Sequence, residues 1–174
     1  MSILIIALPR TGSSELGKNL SDKNRLKYVY EPFDAFKGIK NIDVNKNTLI
    51  KTVVFRHPVF IEEAERISWL IEFTKKFDST ILMSRRNIIE CAESWAYLVH
   101  NKKEINFRGD APYFWEKTPN YDQALTFIKN CHTDLEYISE KIDVPITYYE
   151  DIYDLNDKGR LRKGNKEEIV KKII

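Results

Sequence analysis

Residues 3–14 read Ile3-Leu4-Ile5-Ile6-Ala7-Leu8-Pro9-Arg10-Thr11-Gly12-Ser13-Ser14, and this stretch decides the fold. A short apolar run halted by a proline has the length and bounds of a strand buried on both faces. The following residues predict a helix over 15–20. A strand, a tight loop with a glycine and hydroxyls, and a helix N-terminus together form an anion cradle, because backbone N–H groups and the helix dipole face the ligand. Arg10 adds a fixed positive charge. An ordinary βα turn is the bland reading of the same loop.

Outward from this unit, similar β-rich runs recur at 26–30, 48–55, 79–83 and 145–149, which makes five strands. Between the third and fourth, Phe60, Ala64, Ile67 and Ile71 follow one another at spacings of four, three and four, with Leu70, Phe73 and Phe77 beside them, as on a helix with a wide apolar face. Over 121–142, Ala124, Ile128, Cys131, Leu135, Ile138 and Ile142 alternate between spacings of four and three, which predicts a long amphipathic helix. Strands separated by helices imply parallel pairing through right-handed crossovers. The expected fold is therefore α/β: a P-loop-like open parallel sheet of about five strands with helices on both faces, forming one domain over 1–174. Ligands in such sheets bind at the carboxyl ends of the strands. Residues 101–110 and 154–166 are polar enough to form mobile loops.

The whole chain has 174 residues, 43% of them hydrophobic, enough for one core without metals or disulfides. With 28 basic and 26 acidic residues, the net charge of +2 is too balanced for the broad basic field of a non-specific nucleic-acid binder. Any anion site must be local. Cys91 and Cys131 are far apart and suggest neither a disulfide framework nor a zinc cluster, which fits a reducing compartment. The first apolar run is too short to span a bilayer and has no basic segment before it, so a cytoplasmic location is expected and no membrane partner. His57, His100 and His132 show no metal-ligand spacing.

Two further patterns concern phosphate. Gly12-Ser13-Ser14-Glu15-Leu16-Gly17-Lys18-Asn19 fits the nucleotide-triphosphate loop G-x-x-x-x-G-K but lacks its final Ser/Thr. That hydroxyl holds Mg²⁺, so its absence weakens a metal-dependent kinase or NTPase reading. After the fourth strand comes Arg85-Arg86-Asn87-Ile88-Ile89-Glu90-Cys91-Ala92-Glu93-Ser94-Trp95. Asn87 is placed to cap a helix, with Glu90 reaching back as in a capping box. Arg86 then stands at the strand end and Ser94 two turns along the helix.

These residues resemble the sulfotransferases that use 3′-phosphoadenosine 5′-phosphosulfate (PAPS). Pro9-Arg10-Thr11-Gly12-Ser13-Ser14 looks like the family's 5′-phosphosulfate loop, and Arg86-Asn87 with Ser94 looks like its 3′-phosphate motif. Lys51-Thr52, Tyr149-Glu150-Asp151-Ile152 and Arg162-Lys163-Gly164 are similar to three further elements, in the family's order. The resemblance implies that Arg10, Thr11, Gly12, Ser13 and Ser14 hold the 5′ end of PAPS. It places Arg86, Ser94, Arg162, Lys163 and Gly164 on the 3′-phosphate, with the last three on a loop able to close over the cosubstrate. A cosubstrate charged at both ends needs two separate cationic sites.

The chain departs from the cytosolic small-molecule branch, whose catalytic histidine falls where Val53 stands. Glu31, in Tyr30-Glu31-Pro32-Phe33, resembles the Glu-Pro element of bacterial and carbohydrate-directed members, where a glutamate is the proposed base. His57 is the second candidate, although its place before Pro58 favours a turn. Tyr113, Trp95 and Trp115 are candidates to stack on adenine or on an acceptor ring, with buried packing the commoner use. The resemblance thus implies sulfuryl transfer to an acceptor hydroxyl, with Glu31 as base, Arg10 and Lys51 on the leaving group, and no metal. The acceptor is open, with a leaning toward carbohydrate, and so is the oligomeric state. A kinase using ATP and Mg²⁺ and a non-catalytic nucleotide-binding module are the alternatives.

Overall fold

Side chains of β1 (Ile3–Ala7) alternate between two apolar layers. Leu4 and Ile6, with Leu8 just beyond, join one cluster, and Ile3, Ile5 and Ala7 join the other. This period of two is what a central strand with a covered sheet on either side requires. The computed structural model describes residues 1–33, 44, 47–55, 61–102 and 121–153.

Around β1 lie β2 (Lys27–Tyr30), β3 (Thr48–Val53), β4 (Ser79–Ser84) and β5 (Ile146–Tyr148). They form one open sheet in the order β2-β3-β1-β4-β5, with every neighbouring pair parallel. The expected α/β architecture of five parallel strands is what the structure has. All five carboxyl ends therefore lie on one edge.

Helix α1 (Ser13–Asn24) packs Leu16 and Leu20 on the face of Ile3 and Ile5, together with Tyr149 and Ile152 of the short α5 (Tyr149–Ile152). The opposite face carries α2 (Arg66–Thr74), α3 (Ile88–Lys102) and α4 (Tyr121–Ile142), through Leu70, Phe73, Cys91, Ala92, Ile128, Cys131, Leu135 and Ile138. The chain leaves β1 in one direction along the sheet and β4 in the other, and the covering helix changes face accordingly, as crossovers of constant hand demand. The strand order therefore reverses direction between β1 and β4, the place where open α/β sheets bind their ligands.

The long helix begins and ends where its spacing predicts, and Ile142 is half-buried at its last turn. α2 is shorter than expected. Ala64 lies exposed in a 3-10 turn (Glu63–Glu65), and the helix proper starts at Arg66. Leu70 and Phe73 take the core, leaving Ile67 and Ile71 half-buried, so the four-three-four series marks the flank of the apolar face. Phe60 lies outside the described residues. No helix among the described residues is long and apolar enough to cross a membrane.

Candidate functional site

Five residues, 8–12, connect β1 to α1. Gly12 is the N-cap of α1 at φ 69°, ψ 5°, a left-handed conformation that L side chains adopt only at a cost. A Cβ there would also come within 2.9 Å of the Tyr153 ring and 3.0 Å of the Tyr149 ring. The Gly12 carbonyl accepts from Glu15 N–H at 3.0 Å, Leu16 N–H at 3.1 Å and the Tyr153 hydroxyl at 2.8 Å. With that carbonyl turned inward, the preceding N–H groups of the first turn point out of the helix. Thr11 is fully buried and donates its hydroxyl to the Leu8 carbonyl at 2.9 Å, so it braces the loop from inside. Ser13 is buried and Ser14 half-buried. Burial pushes the Tyr153 phenol well above its ordinary range, with the Glu15 charge adding to the shift.

Gly17 and Lys18 lie in the second turn of α1, where Gly17 lets the Tyr28 ring approach to within 2.7 Å of a would-be Cβ. The G-x-x-x-x-G-K pattern is thus spread along a helix rather than looped around an anion. Its second glycine is explained by helix–strand packing.

Arg10 is exposed and also left-handed, at φ 65°. Its Nε donates to Ser94 Oγ on α3 at 2.9 Å. Beside this bond, Cys91 donates its thiol to the Pro9 carbonyl at 3.1 Å. Burial pushes that thiol up to about 12, against an opposing pull from Arg85 and Arg10. Neither Cys91 nor Cys131 forms a disulfide.

At the end of β4, Asn87 caps α3 as expected, its Oδ1 accepting the Glu90 N–H at 3.1 Å. The other half of the capping box is not made. Glu90 instead accepts from Arg85 Nη2 at 2.8 Å, because a buried guanidinium competes for that carboxylate. Glu150 receives the two backbone N–H groups left over, Arg86 at 3.0 Å and Asn87 at 3.4 Å. Arg85 is 8% exposed and lies 4.7 Å above the Tyr149 ring, with its Nε lacking a hydrogen-bond partner. Arg86 lies 4.7 Å above the Tyr148 ring and grips Asp151 through both terminal nitrogens, at 2.5 and 2.7 Å. Arg86 and Ser94 therefore have different partners, Asp151 and Arg10.

On the other side of β1, Lys51 of β3 is 3% exposed, and its ammonium is ion-paired with Glu31 at the end of β2. It lies 4.9 Å from the centre of the Tyr30 ring. The Glu31 N–H donates to the Lys51 carbonyl at 2.8 Å, and Glu31 has φ 41°. Four described non-glycine residues have positive φ: Arg10, Arg25, Glu31 and Asp143. Arg25 and Asp143 follow helix ends, where that conformation is routine. Arg10 and Glu31 have no such reason, and both stand at the carboxyl edge among the charged groups. Strain of this kind, about 1–3 kcal/mol per residue, concentrates at functional sites.

Trp95, next to Ser94, stacks on Phe127 at 5.8 Å and meets Phe55 edge-on, so it packs in the protein, although its indole N–H is buried without a partner. His132 belongs to a different contact, its Nδ1 3.0 Å from Ser84 Oγ. His57, Tyr113, Trp115, Arg162, Lys163 and Gly164 lie outside the described residues, as do 103–110 and 154–166. No group of three or more His, Cys, Asp or Glu able to hold a metal exists among the described residues. Sequence reasoning did not single out Arg85, Tyr153 or the acceptor roles of Glu150 and Asp151. The one available signal was position: a segment directly after β5 must reach the carboxyl edge of a parallel sheet.

The fold and these residues define an open parallel α/β protein with arginines, a buried lysine and strained backbone gathered at its carboxyl edge. The chain matches no protein-family model and no curated protein.

Proposed function

We propose that this protein is a sulfotransferase that moves a sulfuryl group from PAPS to an acceptor hydroxyl. The observation that carries the reading is the Arg10–Ser94 hydrogen bond, which joins the two anion motifs, 84 residues apart in sequence, where the strand order reverses between β1 and β4. Two separate motifs meeting where an open α/β sheet binds its ligands is what a nucleotide charged at both ends requires.

In this reading the 5′-phosphosulfate lies against the 9–14 loop, and Arg86, Ser94, Arg162, Lys163 and Gly164 serve the 3′-phosphate. The acceptor hydroxyl attacks sulfur as the bond from sulfur to the bridging phosphate oxygen breaks. Glu31 takes the hydroxyl proton, and the departing adenosine 3′,5′-bisphosphate carries the charge, stabilised by Arg10 and Lys51. The Lys51–Glu31 pair suits this sequence. As Glu31 accepts the proton its hold on Lys51 weakens, and the ammonium becomes available to the leaving oxygen. A carbohydrate acceptor and a cytoplasmic location are part of the proposal, resting on the Glu-Pro element and the composition.

A thermal-shift panel of adenosine 3′,5′-bisphosphate, PAPS, AMP, ATP and ATP with Mg²⁺ tests it. The bisphosphate should bind at least about tenfold more tightly than AMP, since each charge-assisted contact is worth about 1.5–3 kcal/mol. A strong Mg²⁺-dependent preference for ATP would establish the kinase reading instead.

A further inference from the structure

The second anion motif already holds two anions, and both belong to the protein. Arg86 meets the Asp151 carboxylate in a two-pronged contact at 2.5 and 2.7 Å over the Tyr148 ring. The Glu150 carboxylate sits on the backbone N–H groups of Arg86 and Asn87 at the start of α3, at 3.0 and 3.4 Å. A guanidinium fork with backbone N–H groups at a helix start is a phosphate-binding arrangement, and carboxylates satisfy the same donors. We infer that Asp151 is an internal competitor for the second anion site, and that a nucleotide's 3′-phosphate binds Arg86 in exchange for the Asp151 carboxylate.

This inference rests on the proposed nucleotide reading and adds to it a residue that sets affinity and selectivity. Asp151 and Arg86 are each about half exposed, with side-chain accessibilities of 52% and 54%, so a ligand reaches the pair without opening the core. Exposure also keeps the pair weak, because water and salt screen it, while a phosphate brings more charge and a third acceptor oxygen to the same fork. The exchange is therefore downhill for a dianion and close to neutral for a second carboxylate. The short helix α5 that carries Asp151 also carries Tyr149, and Tyr153 follows it directly. Both rings pack on Gly12, so displacing Asp151 at one anion motif acts on the element that braces the other.

Titration calorimetry of adenosine 3′,5′-bisphosphate and AMP into the full chain and its Asp151→Asn variant decides the matter. Asparagine keeps the shape but removes the competing charge, so the bisphosphate should bind about three- to fivefold more tightly while AMP changes less than about twofold. Asp151→Ala should agree with it, and melting temperature serves as the folding control. Weaker bisphosphate binding in both variants, or an unchanged constant, would overturn the exchange and make Asp151 a group that orients Arg86. If the unaltered chain binds bisphosphate and AMP equally, the nucleotide reading fails and this inference with it. If it prefers the bisphosphate but Asp151→Asn gains nothing, only the exchange fails.

Discussion

Arg10 Nε and Ser94 Oγ are 2.9 Å apart, so the loop after β1 is tied by a side chain to the second turn of the helix after β4. The two residues should behave as a unit toward a nucleotide. Arg10→Ala should weaken adenosine 3′,5′-bisphosphate binding by about tenfold or more and Ser94→Ala by less, with the double variant losing less than the sum. Calorimetry on all four proteins checks this, and strict additivity would show that the pair does not share a ligand.

Arg86 and Ser94 have different partners in the structure, Asp151 and Arg10, but the proposed function assigns both to the 3′-phosphate, so Arg86→Ala with Ser94→Ala should lose less bisphosphate affinity than the sum of the single losses. Strict additivity in the same titrations would mean that the two side chains do not meet on one phosphate.

Glu31→Gln should lower turnover by roughly 10²–10⁴ with little change in bisphosphate affinity, since a base matters in the transition state and not in cosubstrate binding. The Lys51 pair adds a control. Removing the carboxylate leaves a buried ammonium less compensated, so a modest fall in melting temperature is expected as well. Slow PAPS hydrolysis or a panel of simple sugars and phenols supplies the activity, and His57→Ala should cost little by comparison. Normal turnover in Glu31→Gln with a dead His57→Ala would move the base to the segment after β3.

Gly12→Ala combines a left-handed backbone with a Cβ 2.9 Å from the Tyr153 ring, and it should destabilise the fold by about 2 kcal/mol or more. Tyr153→Phe removes only the hydroxyl that donates to the Gly12 carbonyl and should cost about 1 kcal/mol. Urea unfolding separates the two. Equal losses would mean that the hydroxyl, and not the space around Gly12, is what the loop depends on.

Alkaline stability follows from the buried acids. With the Cys91 thiol pushed up to about 12 from an ordinary 9.0, the folded chain retains between those values a proton that the unfolded chain releases. Stability is therefore full below about pH 9 and falls as pH rises toward 12. The raised Tyr28 and Tyr153 phenols add to the fall above pH 10. Melting temperatures from pH 7 to 11 measure the slope, which Cys91→Ala should make shallower between pH 9 and 10. Native Cys91 should also resist alkylation at pH 8.5, and rapid modification would contradict its burial.

The sequence by itself determined the elements and their class, because apolar spacing is a local property. The unbroken apolar run at 3–8, the alternation of threes and fours over 121–142 and the βα alternation all needed only near neighbours; the strands and the long helix reappear within a residue or two, while α2 starts only at Arg66. Asn87 as a cap was equally local. Partner choice was not. Glu31 with Lys51, Arg10 with Ser94 and Arg86 with Asp151 are separated by 20, 84 and 65 residues, and they meet because the strand order β2-β3-β1-β4-β5 brings their strand ends together. Glu90 shows the limit most clearly. Its spacing from Asn87 satisfies the capping-box rule, yet a buried Arg85 claims the carboxylate and Glu150, from the far end of the chain, takes its place at the helix start. A charged side chain goes to the partner that offsets the largest desolvation cost, and only the packed tertiary structure decides which partner that is.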